Sequence, residues 1–379
     1  MVNNIIIKSN DTDSMNINEE IKPIITTIIP TYQRPKQLKQ AIISALRQTY
    51  PYLQVCVYDN ASGDETASVV AEIAITDPRV KYHCHSENIG AFNNFQYGLK
   101  RVDTPFFSFL SDDDLILPDF YEMALAGFEN HPEAMFFAAD ILHIGQQDRL
   151  LRTPLETWVP GVYHPPGGLV SLLEHGHSEW TGILFRKAVT EKIGLLDMGT
   201  GRFSDLDFTL RIAAHCPFII SKHVGAVFDG SMVERSPRPF AETWPGILKM
   251  VGNITEDDSL PLDVRVYAER VHWTNFKKSL IEWSLSYLSR GYPSDAKKVA
   301  ALLRTQFGDW VRYIVLSLLI NAHQSVPFAR LAFDSLIAYR RTLRTKRLSN
   351  NPILPASVWW RPYAKEISSS HRDAKSDPV

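Results

Sequence analysis

Cysteine is scarce: Cys56, Cys84 and Cys216 are the only three in 379 residues, and no CxxC pair occurs. An odd and scattered set signals neither a disulfide framework nor a zinc site, and fits a reducing, cytoplasmic setting. Long apolar runs are missing too. The best short stretch, Ile314 to Ile320, falls far below the roughly 20 residues that a membrane-spanning helix needs. Met1 to Ile7 run at once into Lys8, Asn10, Asp11 and Asp13, so no secretory signal is expected. Nor is there an excess of either charge. With 40 Lys and Arg against 42 Asp and Glu the formal net charge is -2, which gives no global field for a nucleic-acid backbone and excludes that partner class.

What is present is ordinary globular material, 45% hydrophobic and 22% charged, in a chain long enough for more than one unit. Residues 1 to 22 are polar and lack either hydrophobic period, so they read as a loose tail. From Ile24 the β-branched run IITTIIP is followed by a helical pattern through Leu38, Ala41, Ile42, Ala45 and Leu46. LQVCVYD, the turn NASGDET and a helix through Val69, Val70, Ile73 and Ala74 repeat the arrangement. Successive βα units imply a parallel sheet. VKYHC, PFFSFL and MFFAADIL read as further strands, with a helix from about Pro118 to Glu129. TPLETWVPGVYHPPGG has too much Pro and Gly for regular structure and reads as a long loop. A strand and short helix in TGILFRKAVTEKIGLLD and a helix in FSDLDFTLRIAAH follow, and SPRPFAETWP closes the unit. From Val264 to Leu348 helical patterns dominate.

The most informative segment is LSDDDLILPDF, where Asp112, Asp113 and Asp114 follow directly on an apolar strand. Adjacent carboxylates repel one another unless a cation or water separates them. At the carboxyl end of a parallel strand, where open α/β sheets bind ligands, such a cluster can hold a hard divalent ion that also touches substrate phosphates. A solvated turn opening the next helix is the plainer alternative.

Taken in order, TTIIPTYQR, VYDNASGDET, ENIGAFNN and SDDD resemble the nucleotide-sugar-binding half of the GT-A glycosyltransferases, specifically glycosyltransferase family 2, over about residues 24 to 235. The resemblance implies an α/β fold, with a Rossmann-like, mostly parallel central sheet flanked by helices. It implies that Pro30, Thr31 and Tyr32 lie beside the base and Arg34 near the phosphates, and that Asp59 accepts from the uracil imide N–H. Asn88, Gly90 and Asn93 are carried over to the nucleoside, although Asn93 also suits a helix start. The family's DxD motif falls on Ser111, Asp112, Asp113 and Asp114, and Ser111 departs from the usual first Asp. Asp113 takes the metal position with Asp114 beside it, Asp112 or the Ser111 hydroxyl is left for the ribose, and Mn2+ or Mg2+ is the implied cofactor.

In FSDLDFTLRIA the resemblance places the catalytic base at Asp205, with Ser204 where the family has Glu and Asp207 as the alternative carboxylate; a helix cap is the competing reading. Trp180, Thr181 and Gly182 are carried to the acceptor pocket, against a core role for the tryptophan, and Arg235 to the diphosphate. The implied organisation is a tail at 1–22, a GT-A domain at 23–245, a helical domain at 246–350, and an arm and tail at 351–379. The implied activity is metal-assisted, inverting transfer from a nucleotide-sugar, with UDP expected, to a glycan, polysaccharide or glycolipid hydroxyl. A non-catalytic nucleotide-sugar or glycan-binding module is the rival, and a glycoside hydrolase is disfavoured because nothing in it calls for a nucleotide. From Arg330 to Arg347, six Lys and Arg alternate with Leu331, Phe333, Leu336, Ile337 and Tyr339. Such a basic amphipathic helix suits peripheral contact with the inner face of a membrane, a homo-oligomer, or packing on neighbouring helices.

Overall fold

The computed structural model describes residues 23–145, 150–230 and 239–326, with positions 331 and 335. The expected tail, the C-terminal arm and nearly all of the basic segment 330–347 lie outside these residues. β1 (Ile25–Thr31), α1 (Pro35–Leu46), β2 (Leu53–Asp59), α2 (Thr66–Thr76), β3 (Val80–Cys84), α3 (Ala91–Lys100) and β4 (Phe106–Phe109) come first. Their strands lie in the order β3-β2-β1-β4, all parallel. There follow β5 (Leu115–Ile116), α4 (Phe120–Asn130), β6 (Phe136–Ile144), β7 (Leu150–Arg152), β8 (Gly161–Tyr163), α5 (Gly167–His175), β9 (Ile183–Arg186), α6 (Val189–Ile193), α7 (Ser204–His215) and β10 (Phe218–Asp229). They extend the sheet as β4-β9-β6-β10-β5, with β9 antiparallel to both neighbours and β10 parallel to β6. The result is an open mixed sheet whose first half is Rossmann-like.

Alternation along the strands builds two cores. On β1, Ile25 and Ile29 face the helices α1, α2 and α4 through Leu38, Ile42, Val70 and Phe120. Ile28 faces the other way, toward Leu99 of α3, Phe208 of α7 and Ile247 of α8 (Phe240–Thr255). That is the period of two expected of strands buried on both faces. Beyond α8 come α9 (Leu262–Ser289), α10 (Pro293–Thr305) and α11 (Trp310–Ser325), whose own core joins Leu280, Leu288, Val299, Leu303, Leu316 and Ile320.

The structure differs from the sequence reading in three places. β10 was not read as a strand: Lys222 and His223 interrupt its apolar run, at register irregularities between Ile220 and Ala226 that shift the alternation. The expected loop after Arg152 contains β8, whose edges pair with β10, and leads into α5 from Gly167. Finally, α8 runs through the expected boundary at 245/246. Pro245 reads as a break, yet it sits near the start of this helix, and Ile247, Met250, Val251 and Ile254 beyond it belong to the sheet's core. Gly246 shows how close that packing is, since a Cβ there would lie 2.4 Å from the Thr200 carbonyl oxygen.

His272 on α9 is buried, its Nε2 has no hydrogen-bond partner, and its ring stacks toward Phe276. Burial lowers its pKa from 6.5 to about 4. As pH falls below the unfolded value the unfolded chain takes up the proton first, so the folded state loses stability between these two values, by about 3 kcal/mol in full. His272→Phe is expected to remove this acid-side loss. Urea midpoints for both proteins across the interval check it; parallel losses in the two would contradict it.

Candidate active site

β1 lies between β2 and β4, so the direction of strand succession reverses there and the loops after these strands open a crevice at their carboxyl ends. Thr31 closes β1 and pairs in register with Asp59, which closes β2. Thr31 Oγ1 donates to Asp112 Oδ2 at 2.8 Å, tying β1 to the acidic loop after β4. The three chain segments that carry the first, second and fourth motifs therefore meet at one place.

At the β2 side the carboxylate of Asp59 is buried and held by its surroundings. Its Oδ1 accepts from the Ser62 amide at 3.0 Å and from Ser62 Oγ at 2.6 Å, and its Oδ2 accepts from the Tyr82 hydroxyl at 2.7 Å. A carboxylate offers about four acceptor positions, so one on Oδ2 is left for a ligand N–H. The Gln33 amide donates to Ser62 Oγ at 2.8 Å, which links this turn to the loop after β1. Asn60 donates to Asn88 Oδ1 at 2.7 Å, and the same oxygen accepts from the Gly90 amide at 2.9 Å. Gly90 opens α3 at φ +84, a conformation that excludes most side chains, and Asn93 donates back to the Ile89 carbonyl within the first turn. Pro30 is buried and Tyr32 exposed, with its ring accessible for stacking.

The acidic loop divides its three carboxylates by environment. Arg34 Nη1 donates to Asp112 Oδ1 at 3.0 Å and to Asp113 Oδ2 at 2.7 Å. Burial works against the charge on this guanidinium, but the two carboxylates outweigh it and raise the pKa. Burial raises the pKa of Asp112, with Arg34 and Thr31 opposing. Asp114 is turned inward. Its oxygens accept from Thr181 Oγ1 at 2.6 Å and from the Asp229 amide at 3.2 Å, while burial and the neighbouring Asp113 charge push its carboxyl well above the usual range. Asp114 thus joins the loop to the Trp180–Gly182 turn and the end of β10.

Trp180 stacks on Phe109 at 4.2 Å, which covers one face of the indole, and its buried Nε1 has no hydrogen-bond partner. Thr181 and Gly182 are buried, and a Cβ on Gly182 would press on Ile141 at 2.7 Å. Glu179, just before them, pairs with His143 at 2.9 Å and Arg152 at 2.8 Å. Burial alone would raise its pKa, but His143 and Arg152 hold it below the usual value. On α7, Asp205 is exposed in the first turn, with Oδ1 accepting from the Leu206 amide. Asp207 is buried between Arg211 at 2.8 Å and Asn253 at 2.8 Å, with burial raising its pKa against both. Arg235 lies outside the described residues. Tyr82 and Asn60 were missed in the sequence: Tyr82 sits on an edge strand with no pattern to mark it, whereas Asn60 could have been suspected beside Asp59.

No group of three or more His, Cys, Asp or Glu side chains among the described residues could hold a metal by itself. The donor set still suits a hard divalent ion, which is commonly held by one or two carboxylates together with substrate phosphates. Asp113 spends one oxygen on Arg34, whereas both oxygens of Asp112 and of Asp114 accept from protein groups. Asp113 is the carboxylate of the three best placed to share such an ion.

Residues 26–194 match the family model described as Glycosyl transferase family 2. A Rickettsia bellii protein named uncharacterized glycosyltransferase is 35% identical over 97 residues, 26% of this chain and 14% of that protein. A Campylobacter jejuni protein named GalNAc(5)-diNAcBac-PP-undecaprenol beta-1,3-glucosyltransferase is 35% identical over 96 residues, 25% of this chain and 31% of that one. The matches thus span under a third of these relatives' own length. Among solved structures, Staphylococcus aureus TarS 1-349 in complex with UDP-GlcNAc aligns with a TM-score of 0.58 at 15% identity, covering 79% of this chain and 91% of that one. At that identity the likeness concerns the fold.

The contrast between the two α7 carboxylates has a measurable consequence. Asp207→Ala strips Arg211 and Asn253 of their buried partner and should cost about 3 kcal/mol of stability. Asp205→Ala, on an exposed turn, should cost under about 1 kcal/mol. Urea unfolding of both variants checks this; equal losses would refute the division of roles.

Proposed function

We propose that the chain, whose residues 26–194 match the model of glycosyl transferase family 2, is an inverting enzyme that moves a sugar from a UDP-sugar to a hydroxyl of a glycan or glycolipid. One observation carries this reading: Thr31, Arg34, Asp112 and Asp113 converge at the strand-order switch beside the buried Asp59. An anion-binding guanidinium and a metal-competent carboxylate beside a pocket with one acceptor for an imide suit a uridine diphosphate. UDP-GlcNAc in the TarS complex and the polyprenol-linked glycan named for the Campylobacter relative support the choice of donor and acceptor classes.

In this reading Asp59 takes the imide N–H, Tyr32 stacks on the pyrimidine, and Asn88 and Gly90 border the nucleoside. Arg34 leaves the Asp112–Asp113 pair to meet the diphosphate. Asp113 would hold a divalent ion against the diphosphate, with Asp114 fixing the loop from beneath; such an ion, when bound, neutralises charge on the leaving group. Asp205 takes the proton from the acceptor hydroxyl as its oxygen bonds to the anomeric carbon. The bond to the diphosphate breaks on the opposite face, and this single displacement inverts the centre. Thr181 and Gly182 shape the acceptor side. The helices after α8 pack on the catalytic domain, with Ala268 of α9 in the sheet's core and Phe240 of α8 in theirs.

The deciding experiment measures UDP release and UDP-sugar affinity for Asp205→Asn and Asp113→Asn, with and without chelator. Asp205→Asn is expected to bind donor normally and lose about 100-fold or more in transfer. Asp113→Asn should lose both transfer and its response to metal. Wild-type turnover in Asp205→Asn would move the base elsewhere and reopen the binding-module alternative; full wild-type activity in chelator would remove the metal from the scheme.

A second measurement isolates the nucleobase. Asp59→Ala should weaken UDP about tenfold, the worth of a hydrogen bond to a charged group, and leave free diphosphate unchanged. Calorimetry on both ligands separates these effects, and equal losses would contradict the assignment of Asp59 to the base.

A further inference from the structure

α11 packs on its neighbours through Leu316 and Ile320, which are buried in the C-terminal core. At 100° per residue the opposite side of the helix carries Trp310, Val311, Ile314, Val315 and Leu318. These are exposed by 56, 74, 49, 56 and 64% respectively. Scattered apolar residues on a surface need no explanation, but a continuous stripe along more than two turns does. α11 has no acidic residue, and no helix among the described residues is long and apolar enough to cross a membrane. The stripe can therefore lie on a lipid surface but not pass through it.

Charge selects the occupant. Residues 290–326 contain five Lys and Arg against Asp295 and Asp309 and no Glu, in a chain whose net charge is -2. Asp309, at the head of the stripe, is already neutralised by Arg312 at 2.8 Å and Lys277 at 3.0 Å. Arg304 lies 5.3 Å from the Trp310 ring and 4.9 Å from that of Tyr313, so the amphipathic aromatics at one end of the stripe sit beside a cation. Two copies meeting through this face would bring two basic regions together, whereas an anionic bilayer meets both the apolar stripe and its charge. We propose that the exposed face of α11 is a docking surface for an anionic membrane, seated at the level of the lipid headgroups.

This surface is distinct from the basic segment 330–347 picked out in the sequence. It also does not depend on the donor assigned above, because lipid binding and UDP binding are read separately. The test is flotation of the full chain with phosphatidylcholine vesicles, with and without phosphatidylglycerol. The wild type is expected to float only with the anionic vesicles and to be released by salt. Ile314→Glu/Leu318→Glu, and independently Val311→Glu, should lower the partition coefficient about tenfold or more. UDP affinity and circular dichroism should stay at wild-type values, as these side chains are already in water. A wild type that ignores anionic vesicles overturns the proposal. So do variants that bind as the wild type does, which would move the contact to the basic segment. A light-scattering mass that halves in the variants, without lipid binding by the wild type, assigns the face to a second copy instead.

Discussion

The site depends on how one short loop keeps three adjacent carboxylates in a folded protein. Side by side in a partly dry crevice, the three carboxylates repel one another, and burial together with the Asp113 charge raises the pKa of Asp112 and Asp114. The fold answers by separating them. Arg34 bridges Asp112 and Asp113, and Asp114 is buried against Thr181 and the Asp229 amide. The same division orders the neighbourhood: Arg34 ties the loop to the start of α1, Thr31 ties it to β1, and Asp114 ties it to the Trp180–Gly182 turn and to β10. A cluster that would scatter a loop in isolation becomes the junction of four chain segments.

A similar sorting separates Asp205 from Asp207, two residues apart on α7. Asp207 faces inward, where Arg211 also donates to the Ile193 and Leu195 carbonyls and so anchors the approach to α7. Asp205 faces water with one oxygen on the next amide. Two carboxylates of the same chemistry thereby acquire a paired, buried environment and an open, solvated one. The Ser204 that stands where the family has Glu is buried, with its hydroxyl on the Gly201 carbonyl.

The first half of the sheet was legible because each strand is apolar on both faces and ends abruptly in polar, turn-forming residues, as at Thr31 and Asp59. The family resemblance followed from the order of those endings. The inward role of Asp114 was not legible, because its partners Thr181 and Asp229 lie 67 and 115 residues away, beyond any local pattern. β10 was hidden by its own irregularity, and Pro245 suggested a boundary where the chain continues one helix. The stripe on α11 was legible only as a run too brief to span a bilayer. Which of its apolar residues are covered is decided by α9 and α10, and periodicity cannot tell a buried face from an exposed one when both are apolar.

The backbone adds a further step. Among the described residues, Gln33 and Ala61 are the non-glycine residues with positive φ, at 54 and 61, and each such conformation costs on the order of 1–3 kcal/mol unless its surroundings hold it. Both flank Ser62: Gln33 donates its amide to Ser62 Oγ and its side-chain amide to the Ser62 carbonyl, while Ala61 precedes it in the turn. Ser62 in turn fixes Asp59. The strain is thus stored where the loops after β1 and β2 lock together around the carboxylate assigned to the base, and it holds that end in one geometry before any ligand arrives. The Arg34 end is built differently. Arg34 is about one-third exposed and its bonds are to carboxylates, an arrangement that a diphosphate can replace by exchanging one set of charge-assisted bonds for another. In the proposed reading, a rigid end at Asp59 for the nucleobase and an exchangeable end at Arg34 for the diphosphate would allow recognition to precede the rearrangement of Arg34. The ordering cost of that rearrangement falls on a single long side chain.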